Sequence, residues 1–121
     1  MESQQEIMGG LVQELHRGSL VLIILSQLNE KQYGYSLVQR LEEQGLSLDP
    51  GTLYPLLRRL EKQGLLDSQW DTEAGRPRRY YILSLAGRQV LTAVTREWRK
   101  LNGIMQDMLP GNSGGEEDGT D

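Results

Sequence analysis

The residues best equipped for chemistry in this chain are cations, and they fall in two places. Arg58, Arg59 and Lys62 lie within "DPGTLYPLLRRLEKQGLL" (49–66), and Arg76, Arg78 and Arg79 surround Pro77 in "GRPRR" (75–79). Clustered guanidinium and ammonium groups attract polyanions. Groups for covalent or metal chemistry are scarce. His16 is the single histidine and there is no cysteine, which excludes disulfides, thiolate metal sites and a cysteine nucleophile. The carboxylates are scattered over polar helix faces. His16 reads as a partly exposed helix residue, and no catalytic site, metal or cofactor is expected.

At about 100° per residue, Leu53, Leu56, Leu57, Leu60 and Gly64 share one side of a helix, and Gly51, Tyr54, Pro55, Arg58, Arg59 and Lys62 fall on the other. Its beginning is disturbed. Pro50 suits a first turn, but Pro55 would delete the bond to the Gly51 carbonyl if the helix starts at 50. Two arrangements relieve this: Thr52 caps the helix, or Gly51 lets the first turn distort. Either leaves amides near 51–54 without helical partners. Bare amides at a helix start bind anions, Gly51 permits close approach, and Tyr54 offers a hydroxyl. A phosphate backbone satisfies all of these.

The elements that carry these groups follow from periodicity. Residues 4–16, with Ile7, Met8, Leu11, Val12 and Leu15 at helical spacing, read as an N-terminal helical arm (1–16) weakened by Gly9 and Gly10. A helix over about 17–29 and another over 34–44 follow, the latter with Tyr35, Leu37, Val38 and Leu41 inward and Gly45 as its stop. After the leucine-striped helix the period becomes two: "LLDSQW" (65–70) and "RRYYILS" (78–84) are strands joined by "DTEAGRP" (71–77), a hairpin. Trp70 is expected under the hairpin, with Tyr80 and Tyr81 as wing and core residues. Ser84 is placed to cap a long helix, 85–109, ended by Pro110 and Gly111. Helices followed by a hairpin make a winged helix-turn-helix over 17–84. The fold class is mainly α with a small β-hairpin, plus a long C-terminal dimerisation helix.

The net charge is −4, yet Glu116, Glu117, Asp118 and Asp121 sit in "GNSGGEEDGTD" (111–121). The stretch 110–121 reads as a disordered acidic tail, and the remaining charges balance. Net charge therefore does not exclude nucleic acid; clustering decides. No uninterrupted apolar run approaches the roughly 20 residues of a membrane span, and no signal sequence is visible. The expectation is a cytoplasmic protein with no membrane partner.

The segments "RGSL" (17–20), "YGYSLVQRLEEQG" (33–45), "GTLYPLLRRLEKQGLL" (51–66), "GRPRRYYILSLAG" (75–87) and the long terminal helix together resemble the PadR family of bacterial transcription regulators, over about residues 15–108. Members of that family are dimeric winged-helix DNA-binding proteins, usually repressors. The resemblance implies that 51–63 is a recognition helix and 71–79 a wing, and that Gly51, Thr52, Tyr54, Pro55, Arg58, Arg59, Lys62, Arg76, Arg78 and Arg79 form a surface for double-stranded DNA. "GRPRR" looks like the Gly-Arg-Pro cores that lie in narrow minor grooves.

Leu91, Val94, Trp98, Leu101, Met105 and Met108 are spaced 3, 4, 3, 4, 3. That is a heptad seam sustained over about two and a half heptads. It predicts a homodimer, which suits a pseudo-palindromic operator read as two half-sites. Trp98 is seam filler or, as in some short PadR-like regulators, half of a Trp pair that holds a planar aromatic effector; Gly87 offers a hinge to transmit its binding. The expected function is a homodimeric repressor released by a small molecule or other signal. The alternative is a winged-helix dimer acting as a protein-interaction module without DNA binding.

Overall fold

The structure is a computed structural model, described here for residues 1–73 and 75–111; most of the acidic tail lies outside the described residues. Residues 1–91 form one compact unit, and the described residues from Thr92 to Gly111 belong to a second.

The helix α1 spans Gln4–Ser26 without interruption. The separate arm and second helix expected from the sequence are therefore one element. Ser3 accepts from the Glu6 N–H and Glu6 returns a bond to the Ser3 N–H, a reciprocal cap that nucleates the helix. Gly9 and Gly10 weaken it without breaking it. Their neighbourhood is open, so nothing but backbone entropy opposes the helix there. Fused in this way, α1 is long and apolar enough to cross a bilayer by length and composition. Its C-terminal half, however, is built into the core of the first unit, with Ile24 and Leu25 fully buried.

A two-residue strand, β1 (Gln32–Tyr33), leads into α2 (Gly34–Glu43); α3 is Pro50–Lys62. Gly45 and Gly64 adopt φ of +91° and +83° just past the two helices, and their sparse surroundings leave the left-handed backbone as the reason for glycine. β2 (Leu66–Asp71) and β3 (Arg78–Leu83) form the expected hairpin. β1 pairs with the other edge of β3, giving an antiparallel sheet of order β1-β3-β2. The third strand was not foreseen.

The core joins Ile24, Leu25 and Leu28 to Leu37 and Leu41 of α2, Leu53, Leu57 and Leu60 of α3, and Leu66, Tyr81 and Leu83 of the sheet. Two inward assignments are corrected. Tyr35 is 60% exposed and Trp70 is 61% exposed. Trp70 lies on the Leu66 face of β2, since residues four apart share a face. It also lies about 13 Å further along the strand at ~3.3 Å per residue, past the edge of the core.

The last helix, α4, is Leu85–Met108. Ser84 caps it as expected, accepting from the Gly87 N–H at 3.0 Å. The same hydroxyl donates to the Gly64 carbonyl at 2.6 Å, and the Ser84 N–H donates to the Leu65 carbonyl. A Cβ on Gly87 would stand 2.0 Å from the Leu65 carbonyl oxygen. Arg88 adds bonds to the Asn29 side chain and carbonyl. Gly87 is therefore a close-packed joint, and the hinge expected there is replaced by a pinned helix start.

Candidate nucleic-acid interface

The start of α3 differs from both arrangements that its sequence suggests. Asp49 is the cap, with Pro50 in the first helical position. The Asp49 carboxylate accepts from the Gly51 N–H at 3.2 Å, and its carbonyl accepts from the Thr52 and Leu53 N–H groups at 2.8 and 3.0 Å. The amides expected to be bare are occupied. A carboxylate also stands where a phosphate was expected, so the helix N-terminus is not an anion cradle. Thr52 is not the cap. Pro55 sits inside the helix, at an exposed position one turn after the exposed Gly51.

The polar face of α3 divides into two flanks around its exposed crest. Tyr54 and Arg58 border a cleft of about 320 Å³ completed by Tyr33, Gly34, Tyr35, Trp70, Arg78, Arg79 and Tyr81. Thr52, Pro55 and Arg59 face a groove shared with Arg17, Leu20 and Val21 of α1. Gly51 and Lys62 lie on the exposed crest. Arg58, Arg59, Lys62 and Arg76 are exposed and make no ion pair among the described residues. The structure thus brings Arg58 and Arg78 to one cleft and sets Arg17 in the same groove as Arg59, while Lys62 and Arg76 line neither.

The aromatic cleft went unnoticed in the sequence. Gly34 makes it possible: a Cβ there would lie 2.6 Å from the Tyr54 ring, so glycine lets Tyr54 lie on the α2 backbone. The Tyr33 hydroxyl donates to Asp71 Oδ2 at 2.5 Å. This bond, helped by the Glu73 N–H, holds the Asp71 carboxyl below the usual carboxylate range, and it raises the Tyr33 phenol. The Arg78 guanidinium lies 4.3 Å from the centre of the Tyr33 ring, and Lys31 lies 4.7 Å from that of Tyr80. Such cation–π contacts hold a side chain without neutralising it. Arg78 is therefore aimed yet still charged. The only sequence sign of this cleft was the density of Tyr around Gly34.

Arg79 differs from its neighbours. Its Nη2 lies 3.0 Å from Glu61 Oε1 and its Nε donates to Ser68 Oγ at 3.0 Å. It is tied within the protein, although the sequence grouped it with the DNA-facing arginines.

On α4, Val94, Trp98, Leu101, Met105 and Met108 are all exposed in the isolated chain, Trp98 by 44%, and Ile104 joins them. Leu91, the first residue of the expected seam, packs partly against the core of its own unit.

Three helices, a small sheet whose β2–β3 hairpin forms the wing, and exposed cations on the third helix define a winged-helix protein. Residues 21–93 match the model of the PadR-like family of transcriptional regulators, and the chain belongs to that family. It is similar to the transcriptional regulator Rv3488 of Mycobacterium tuberculosis, with 37% identity over 90% of this chain and 100% of the relative. Among solved structures, a PadR family transcriptional regulator from Eggerthella lenta superposes with a TM-score of 0.79 at 44% identity, covering 89% of this chain and 96% of that one. A PadR-like transcriptional regulator from Bacillus cereus gives 0.73 at 27% identity, covering 82% and 99%. The family is one of transcription regulators, and DNA-binding regulation follows from membership.

Proposed function

We propose that this protein is a homodimeric, sequence-specific repressor that binds a pseudo-palindromic operator in double-stranded DNA. The observation that carries the reading is the row of exposed, unpaired cations on α3 (Arg58, Arg59, Lys62) beside a wing that presents Arg76 and Arg78. The polar face of α3, with Gly51 and Lys62 on its crest and Tyr54 and Pro55 on its flanks, enters the major groove, where arginine reads guanine edges. Thr52 and Arg59 face the strand nearest Arg17. Arg76 and Arg78 reach the flanking minor groove. Repression by occupancy requires nothing beyond this surface. The place of action is the cytoplasm.

The exposed apolar row from Val94 to Met108 supports a second copy of the chain as partner. A row of large apolar side chains along one helix gains stability when a symmetry mate covers it. Trp98, midway along that row, is the place for a planar aromatic effector whose differential affinity for free and DNA-bound dimers would release the operator. The experiment is selection of binding duplexes from a randomised pool. Two inverted half-sites with centres about one helical turn apart are expected. A pool that stays random after repeated rounds would favour an interaction module without DNA binding.

A further inference from the structure

Glu61 presents a puzzle. It is a carboxylate on α3, on the side that faces the wing, in a helix whose polar face is otherwise basic. An unneutralised carboxylate there repels a polyanion. Its surroundings show how it is used. Arg79 Nη2 of β3 donates to both Glu61 oxygens, at 3.0 and 3.3 Å. The Ser68 hydroxyl of β2 donates to Glu61 Oε2 at 2.6 Å and accepts from Arg79 Nε at 3.0 Å. One closed triangle of hydrogen bonds therefore joins three separate elements: the recognition helix and both strands of the wing. The Arg79 guanidinium also lies 5.6 Å from the ring centre of Trp70 and 5.7 Å from that of the buried Tyr81. The two nearby rings and the triangle leave it little freedom. Both charged side chains are about one-third exposed, so the group sits at the junction and not at the tip.

We propose that Glu61, Ser68 and Arg79 form a positioning clamp that fixes the pitch of the wing against the recognition helix, and that Arg79 serves DNA binding through Glu61 and not by touching DNA. The inference rests on the DNA-binding reading and deepens it. Arg76 and Arg78 then meet the flanking groove because the clamp sets where they stand when α3 is seated. Charge-assisted, forked bonds between Arg and a carboxylate suit this task because their geometry is directional.

The clamp predicts a sign opposite to simple electrostatics. Glu61→Gln removes a negative charge facing DNA, so a bystander carboxylate would give tighter binding on removal. The clamp gives weaker binding, by roughly tenfold, within the range that coupled pairs show. Arg79→Gln should lose a similar factor, and the double variant no more than either single. The dependence of affinity on salt should be alike in all three, since each releases the same wing arginines and none removes a DNA contact of its own. Tighter binding by Glu61→Gln overturns the proposal. So does a slope shallower by about 1 in Arg79→Gln but not in Glu61→Gln, the signature of a phosphate contact made by Arg79 itself.

A second arm needs no DNA. Amide residual dipolar couplings from 51–62, 66–71 and 78–83 of the full chain should fit one alignment frame in the wild type. In Glu61→Gln the wing couplings should depart from the α3 frame. Wing and helix sharing a frame in both proteins overturns the clamp. If the wild type binds no duplex, the DNA reading fails while this arm still decides the clamp. Should Glu61→Gln not fold, Ser68→Ala removes the shared hydroxyl while leaving both charges, and the same signatures apply at smaller size.

Discussion

At the scale of single residues, the interface separates side chains that are held from side chains that are free. Arg79 is held by Glu61, Arg78 is aimed by the Tyr33 ring, and Arg58 and Arg59 are unpaired. If Arg58 reads a base edge, Arg58→Ala should cost about 1–3 kcal/mol of operator binding and relax specificity at that base pair. Competition assays with single-base operator variants would measure this. The Tyr33–Asp71 bond makes a different prediction. Asp71 titrates below its ordinary value, so what the bond adds is present above about pH 4 and is lost as pH falls through the depressed value. Tyr33 titrates above its ordinary value, so the same bond persists below about pH 10 and is lost as pH rises through the raised value. The Tyr33 ring resonances should therefore move at both ends of the pH range, and Asp71→Asn should abolish the acid limb.

At the scale of elements, glycine shows how much local context decides. Gly9 stands in open space within α1 and Gly87 stands against the Leu65 carbonyl. Gly9→Ala should stabilise the chain by about 0.5–1 kcal/mol through helix propensity. Gly87→Ala should destabilise it by about 1–3 kcal/mol, because a packed joint has to open. Thermal melts of the two variants should move in opposite directions. The same contrast explains what the sequence made legible. The leucine stripe of α3 and the alternation of the hairpin are periodic, and periodic patterns survive folding. The two residues of β1 carry no period; they form a strand only because β3 offers an edge at Tyr80 and Tyr81. The union of the arm with the next helix was signalled by the Ser3–Glu6 capping pair, a cue the two glycines obscured. The Asp49 cap was equally visible, as an Asp before a Pro, but the unusual Pro55 drew the start of α3 too far along the chain. Trp70 and Tyr35 were misplaced because period gives the face of an element and not how far the core extends beneath it.

At the scale of the whole molecule, the proposed operator binding calls for a second copy of the chain. The row from Val94 to Met108 is exposed in the single chain; in the proposed dimer a symmetry mate would cover it, and a two-fold particle suits an inverted repeat. Leu101→Glu would bury a carboxylate against its own copy, which is costly for both subunits. It should give a monomer in light scattering at micromolar concentration and weaken operator binding together with assembly. A wild type that is monomeric under those conditions would remove the dimer from the account. The most direct test of the central claim, that the cations of α3 and the wing bind DNA, is operator affinity as a function of salt for the wild type and for Arg58→Ala/Arg59→Ala. The expected result is a linear logarithmic plot, with a slope of about −0.9 for each phosphate neutralised, and clearly weaker binding by the folded double variant at every salt concentration. Affinity indifferent to salt, or unchanged in that folded variant, would contradict it.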